Sequence, residues 1–439
     1  MGVQTGLQTG PVEGAGSGLL TDQYELTMLQ AALRDGTAGR RCAFEVFTRR
    51  LPEGRRYGVV AGTGRLLDAL ADFRFPDEAL AGLRGRGVVD QETCDWLRDY
   101  RFAGDVAGYA EGELFFPGSP VLTVEGTFAE AGILETLVLS VLNHDSAVAS
   151  AAARMVTAAG GRPCIEMGSR RTHEEAAVAA ARGAYLAGFA ATSNLAAGHR
   201  HGIPTTGTAA HSWTLLHERE ADAFRAQVDA LGLGTTLLVD TYDIREGIRT
   251  AIEVAGPGLG AIRIDSGDLG VLAHQARDQL DSLGATTTRI VLSGDLDEHA
   301  LAALASAPVD AYGVGTSVVT GSGAPTAGFV YKLVEVEGRA VAKRSEDKVT
   351  HGGRKTAVRR HRESGTATEE IVRAQGDPAA EDGDRRLQVA LVRDGRPVDV
   401  PSLTDSRDHL AHVLTTLPWE GLALSKGDPA IPTVHEGPQ

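Results

Sequence analysis

TTLLVD (235–240), AIRID (261–265), RIVLSG (289–294) and AYGVG (311–315) are four short apolar runs, each closing on a polar or glycine-bearing tip and separated by sequence of helical character. Four segments of the same kind precede them: VLTVEG (121–126), PCIEMG (163–168), FAATSN (189–194) and IPTTGT (203–208). A short buried strand followed by an alanine- or leucine-rich helix, repeated, is the sequence form of βα units around a parallel sheet. Eight such units predict an α/β protein built on an irregular, TIM-like (β/α) barrel. No G-x-G-x-x-G follows the first strand, which argues against a doubly wound dinucleotide fold.

Outward from this region the pattern changes. On the N-terminal side, LLTDQYELTMLQAALRDG places Thr21 or Asp22 as a cap ahead of Leu26, Leu29 and Leu33, at helical spacing. CAFEVFTRRLP then reads as a strand in which Phe44, Val46 and Thr48 share a face until Pro52 stops it. A helix is expected around residues 64–73, and the Gly- and Pro-punctuated stretch 105–125 suits a small sheet. Past Phe329 the chain becomes basic and strand-like, then polar to Asp384, with residues 365–384 suiting either a linker or a strand and surface loop. RLQVALVRDGRPV resumes a strand. The expected organisation is a disordered tail (1–18), an N-terminal α/β domain (19–120), the barrel (121–341) and a C-terminal segment (342–439) returning to the first domain. A chain of 439 residues with 42% hydrophobic content is large enough for two cores.

Charge and cysteine content narrow the function classes. A formal net charge of −15 disfavours tracking of nucleic acid or of an anionic membrane. No apolar run approaches the roughly 20 residues a membrane span needs, and the first 18 residues lack the basic and apolar regions of a signal peptide. The three cysteines, Cys42, Cys94 and Cys164, form no C-x-x-C pair or metal spacing and read as buried thiols in a reducing, cytoplasmic setting. P-loop, zincin and lipase motifs are absent from the sequence.

In a barrel, chemistry gathers at the C-terminal ends of the strands. There the polar residues cluster: 168–173, Ser193 and Asn194, Thr208 to Trp213, 240–243, 265–268, Ser293 to Asp295, and 313–317. RIVLSGDLDE would end a strand and open a helix, aiming backbone N–H groups at an anion, and AYGVGTS offers a second such turn one strand later. Ser293, Gly294, Asp295, Gly315 and Thr316 are therefore phosphate-binding candidates. Arg263 and Asp265, two apart on one strand, face the same side and suit a substrate bearing an anion and hydroxyls, or else form a structural salt bridge. Asp268 and Asp295 are candidates for a Mg²⁺ ion, which takes only one or two carboxylates, and are equally suited to capping helices. His211, flanked by Thr208 and Ser212, has the chemistry of a nucleophile, acid or base. Arg170 and Arg171 open a helix beside His173, where one of them would clamp a carboxylate or cap the rim.

Nine co-linear motifs carry a resemblance. TDQYELTM, FEVFTRRLPEGRRYGVVAG, EMGSRRTHE, ATSNLAAG, GTAAHSW, LLVDTYD, RIDSGDL, LSGDLDE and YGVGTSVVTG, spread in order from about Leu20 to Ser345, are similar to nicotinate phosphoribosyltransferases. The resemblance implies that nicotinate and 5-phosphoribosyl 1-pyrophosphate give nicotinate mononucleotide and pyrophosphate in NAD salvage. It also implies ATP as co-substrate, Mg²⁺ as cofactor and a homodimer with active sites at the interface. His211 would be phosphorylated by ATP. Tyr24, from the partner subunit, would stack on the pyridine ring while Arg170 pairs with its carboxylate. Arg263 and Asp265 would hold donor ribose and pyrophosphate, and Gly294, Asp295, Gly315 and Thr316 the 5-phosphate. Met167 stands where the family usually has a phenylalanine against the base, and the final VHEGPQ departs from the usual C-terminus. Asn194 stands where nicotinamide-using relatives carry an aspartate, which favours nicotinate. Nicotinamide or quinolinate as substrate, and an inactive metabolite-binding relative, are the competing readings.

Overall fold

A computed structural model of the protein describes residues 17–343, 351–398 and 400–436. The first sixteen residues of the expected tail lie outside the described residues. Ser17 and Gly18 open a 3₁₀ turn, Ser17–Leu19. Of the divergent C-terminus, the last three residues are likewise outside, while Thr433–Glu436 is a strand.

The helix Gln23–Asp35 starts after Asp22 and ends where Gly36 turns left-handed at φ 78°. Asp22 makes no side-chain cap; Thr21 instead donates to Glu25. Arg41–Thr48 is central in a seven-stranded sheet ordered Arg339–Ala340, Phe329–Val336, Arg41–Thr48, Leu122–Thr127, Asp105–Tyr109, Gln388–Arg393, Arg396–Pro397. Its neighbours Phe329–Val336 and Leu122–Thr127 both run antiparallel to it. The sequence predicts one buried face, but Ala43 and Glu45 are buried too. The reason is a second layer on the other side: Lys355, from the C-terminal sheet, reaches Glu45 at 2.7 Å.

The parallel sheet has six strands in the order Ala191–Thr192, Cys164–Glu166, Ala311–Val314, Arg289–Ser293, Ala261–Ile264, Thr236–Leu238. This corrects the expected eight-stranded barrel to a parallel half-barrel. VLTVEG does not belong to it, since Leu122–Thr127 pairs antiparallel on both sides with Arg41–Thr48 and Asp105–Tyr109. IPTTGT contributes a single parallel bridge, Thr192 to Thr205. Pro204 lacks an N–H, and the Thr-Thr-Gly that follows is exposed, so little holds this segment as a strand.

One 25-residue helix, Glu135–Ala159, joins the two layers. Leu137, Val138, Val141 and Leu142 enter the core of the antiparallel layer, while Val148, Ala149, Ala152 and Met155 enter that of the parallel sheet. Alanines at the second contact let the helix lie close to the strands, and each larger aliphatic so buried contributes about 1.5–3 kcal/mol. C-terminal to the parallel sheet, Lys355–His361, Ala367–Ala374, Arg385–Arg386 and Thr433–Glu436 form a four-stranded sheet. Gln388–Arg393 then pairs with Asp105–Tyr109 in the first layer. Fully buried Arg359 ties these parts together through Glu113 at 2.6 Å and Glu370 at 2.5 Å.

Candidate active site

The tips of adjacent parallel strands are joined by one hydrogen-bond network. Arg263, near the end of Ala261–Ile264, donates through Nε to Ser293 Oγ at 2.7 Å, through Nη1 to Thr208 Oγ1 at 3.0 Å and through Nη2 to Asp265 Oδ1 at 2.7 Å. Every nitrogen of the guanidinium is thus aimed by a neighbour, a geometry that fixes a planar cation for bidentate anion contact. Ser293 Oγ also donates to Asp265. Burial alone would raise the Asp265 carboxyl, but the hydrogen bonds from Ser293 and Arg263, with the charges of Arg263 and His211, hold it below the ordinary carboxylate range. It stays an anion beside the arginine.

Asp240 extends this network to His211. Its Oδ2 accepts the Asp265 N–H at 2.9 Å and the Ser266 hydroxyl at 2.8 Å. Its Oδ1 lies 3.0 Å from His211 Nε2. The carboxylate is 1% exposed and the imidazole 41%. A carboxylate only accepts, so Nε2 carries the proton directed at Asp240, and Nδ1 is the ring nitrogen turned away from that bond. Asp240 stood in the polar strand-tip cluster 240–243 read from the sequence, as the tip of TTLLVD, but carried no assigned role there. Ser212 follows His211 in the short helix His211–Leu215 and is exposed.

Two glycine-bearing turns follow the two strands on one side of Arg263. Gly294 has φ 110°, and a Cβ there would stand 2.2 Å from the carbonyl oxygen of Asp265. Asp295 follows at φ 46°. The sequence predicts that Ser-Gly-Asp opens a helix, but the helix is Glu298–Ala303 and Asp297 caps it, accepting from Ala300 N at 2.8 Å. Any anion at 293–295 therefore meets the turn's own amides rather than a helix end. On the next strand, a Cβ on Gly313 would lie 2.8 Å from Met167 Sδ and 3.1 Å from Ser293 Cβ, so the Met167 thioether lies across Gly313 at the floor of the site. Gly315 and Thr316 lead into the four-residue helix Thr316–Val319.

Of the two metal candidates, Asp268 is a helix cap: its Oδ1 accepts from Val271 N at 3.2 Å at the start of Leu269–Ser282. Asp295 is exposed and has no side-chain partner among the described residues. No group of three or more His, Cys, Asp or Glu poised for a metal occurs among the described residues.

A third cluster forms where Cys164–Glu166 and Ala191–Thr192 end. Glu166 is fully buried, accepting from Thr192 Oγ1 at 2.6 Å and from the Gly168 N–H. Burial pushes its carboxyl up. Asn194 caps Leu195–His201, accepting from Ala197 N at 2.8 Å, and donates through Nδ2 to Ser169 Oγ at 3.0 Å. The turn carrying Arg170 is thereby locked to the neighbouring strand tip. Arg170 itself is exposed and has no side-chain partner among the described residues, a cation available to an anionic group. Tyr24 is elsewhere within the chain: it is 45% exposed, and burial together with the carboxylates of Glu135 and Glu25 holds its phenol far above the usual value.

Residues 19–143 match the family described as the nicotinate phosphoribosyltransferase (NAPRTase) N-terminal domain. The chain is 64% identical over 426 residues to nicotinate phosphoribosyltransferase pncB1 of Mycobacterium tuberculosis, covering 95% of each chain. It is 37% identical over 356 residues to the nicotinate phosphoribosyltransferase of Bacillus subtilis, covering 78% of this chain and 72% of the relative. Among solved structures, human nicotinic acid phosphoribosyltransferase superposes with a TM-score of 0.83 at 26% identity, covering 94% of this chain and 97% of that one.

Proposed function

The chain belongs to the nicotinate phosphoribosyltransferase family, and from that premise we propose how its residues divide the reaction. It is an enzyme of that type, acting in NAD salvage. Nicotinate and 5-phosphoribosyl 1-pyrophosphate give nicotinate mononucleotide and pyrophosphate: the bond from the anomeric carbon to pyrophosphate oxygen breaks, and a bond to the pyridine nitrogen forms.

The observation that carries the assignment is the continuous network from Thr208 and Ser293 through Arg263, Asp265 and Asp240 to His211. Departure of pyrophosphate builds oxocarbenium character on the sugar and negative charge on the leaving group. Asp265 faces the developing cation or the ribose hydroxyls, and Arg263 the leaving group. The turns at 293–295 and 315–316 take the 5-phosphate through Ser293, Gly294, Asp295, Gly315 and Thr316. Arg170 pairs with the nicotinate carboxylate, with Asn194 behind it and the Met167 thioether against the ring. Thr208 and Ser212 line the approach to His211.

His211 accepts the γ-phosphoryl group of ATP on Nδ1, the nitrogen not committed to Asp240, while ADP leaves and the buried carboxylate stabilises the charged ring. Mg²⁺, held by Asp295 or Asp268 together with phosphate oxygens, would neutralise charge on the leaving group. The chain works as a homodimer in which Tyr24 crosses to the partner's ring site. This is supported by Tyr24 standing exposed on Gln23–Asp35. Three free, buried cysteines fit a cytoplasmic location. No helix of the described residues is long and apolar enough to cross a membrane.

The test is mass detection of nicotinate mononucleotide from nicotinate and the donor, with and without ATP, alongside nicotinamide and quinolinate. Product from nicotinate, stimulated by ATP, is expected. Turnover confined to another pyridine would overturn the substrate assignment.

A further inference from the structure

A buried charge cluster lies behind the two phosphate turns. Glu298, the first residue of Glu298–Ala303, is 3% exposed. Its Oε1 accepts from Arg154 Nε at 3.1 Å and faces Arg55 Nη1 at 3.3 Å, and its Oε2 accepts from Ser322 Oγ at 2.6 Å. Arg55 also donates to the carbonyl of Gly321 at 2.7 Å, and Arg154 to that of Gly54 at 2.9 Å. The Ser322 N–H bonds the carbonyl of Ser317 at 2.7 Å, and Ser322 itself sits at φ 50°. Glu298 therefore touches structure downstream of both turns. Residues 293–295 end three positions before it, and 315–316 lead into the helix Thr316–Val319, whose Ser317 carbonyl accepts from the Ser322 N–H in the turn beyond.

Stability does not account for such a cluster. Two arginines and one carboxylate, nearly sealed from water, carry a desolvation cost that well-packed apolar residues of like volume avoid. What the cluster supplies is geometry. A charge-assisted hydroxyl–carboxylate bond on one side and two guanidinium contacts on the other define the spacing between segments that share no direct strand pairing downstream of their turns.

We propose that Glu298 is a positioning residue for the phosphoribosyl donor: through Ser322, and braced by Arg55 and Arg154, it sets the distance between the turns at 293–295 and 315–316. The inference rests on reading those turns as the cradle of the 5-phosphate. Glu298 touches no substrate; a change there is felt as misplacement of the turn amides.

Glu298→Gln and Ser322→Gly test it in the full-length protein. Ser322→Gly removes the hydroxyl while leaving both arginine contacts of Glu298 in place and suits the left-handed backbone, so it carries the test if Glu298→Gln does not fold. Misplacement at a binding site is expected to raise the donor KM about tenfold, with kcat and the nicotinate KM within about twofold. Calorimetric binding of ribose 5-phosphate should weaken by a similar factor. A purely architectural role would change thermal stability and leave both donor readouts at parent values. That result in folded Ser322→Gly protein overturns the proposal, as does an equal rise in both KM values. The ribose 5-phosphate arm separates the two levels: parent protein that binds it but forms no mononucleotide contradicts the reaction assignment and leaves the role of Glu298 to be judged on binding.

Discussion

His211 Nε2 stands 3.0 Å from Oδ1 of Asp240, a half-open imidazole against a carboxylate that is 1% exposed. The other oxygen of that carboxylate accepts from the backbone N–H of Asp265, so the orientation of the histidine and the position of this aspartate are set by one side chain. On the proposed mechanism, this carboxylate would couple ATP use to phosphoribosyl transfer.

Asp240→Asn presents either an amide N–H or a weaker acceptor to Nε2 and no longer fixes the tautomer. By comparison with other oriented histidines, the ATP-stimulated rate should fall by about 10²-fold or more, with ATP-independent transfer retained. Steady-state assays with and without ATP measure both. Equal loss of the two activities would mean Asp240 serves Asp265 alone.

Gly294→Ala would place a methyl group 2.2 Å from the Asp265 carbonyl oxygen at a φ of 110°. Relieving that clash requires the turn to move. With strain of about 1–3 kcal/mol, donor affinity should fall roughly tenfold or more, read as the donor KM. An unchanged KM would place the 5-phosphate elsewhere.

Asn194 caps Leu195–His201 and bonds Ser169, the residue before Arg170. Asn194→Asp keeps the cap acceptor but brings a negative charge toward the substrate carboxylate. We expect the ratio of nicotinate to nicotinamide kcat/KM to fall by about tenfold, the effect of roughly 1.4 kcal/mol of repulsion. Kinetics with the two substrates check this.

A pH prediction comes from the joint between layers. Burial of Glu113 would raise its carboxyl, but the charge of Arg359, the hydrogen bonds from His409 and Arg385 and the charge of Arg385 outweigh it and hold the group far below its ordinary 4.5. A depressed folded value contributes stability that is fully present above the unfolded value and is lost as pH falls toward the folded one. Glu113→Gln should therefore lose about 1–3 kcal/mol near neutrality, because it removes one of the two carboxylates paired with buried Arg359, and should show a flatter acid limb than the parent below about pH 4.5. Denaturant midpoints from neutral pH down to acid measure both effects.

What the sequence disclosed follows from which forces are local. Strand tips end in polar residues because backbone and solvent demand it, so Arg263, Asp265, Ser293 and His211 were legible as a group, and the structure brings them within one network. Period-two burial, by contrast, does not say which sheet a strand joins. VLTVEG alternates as a barrel strand would, yet finds antiparallel partners on both sides. IPTTGT has the composition of a strand but only one bridge. Asp240 carried no assigned role and Glu298 escaped notice because their roles depend on partners 24 to 243 positions away. No spacing rule reaches that far.

The most direct measurement is intact-mass and tandem-mass analysis of the protein after incubation with ATP, coupled to detection of nicotinate mononucleotide on adding nicotinate and donor. One phosphoryl group on His211, its absence in His211→Ala, and product formation that ATP accelerates only in the parent are expected. Phosphorylation at another residue, or equal ATP stimulation in His211→Ala, would contradict the phosphohistidine assignment.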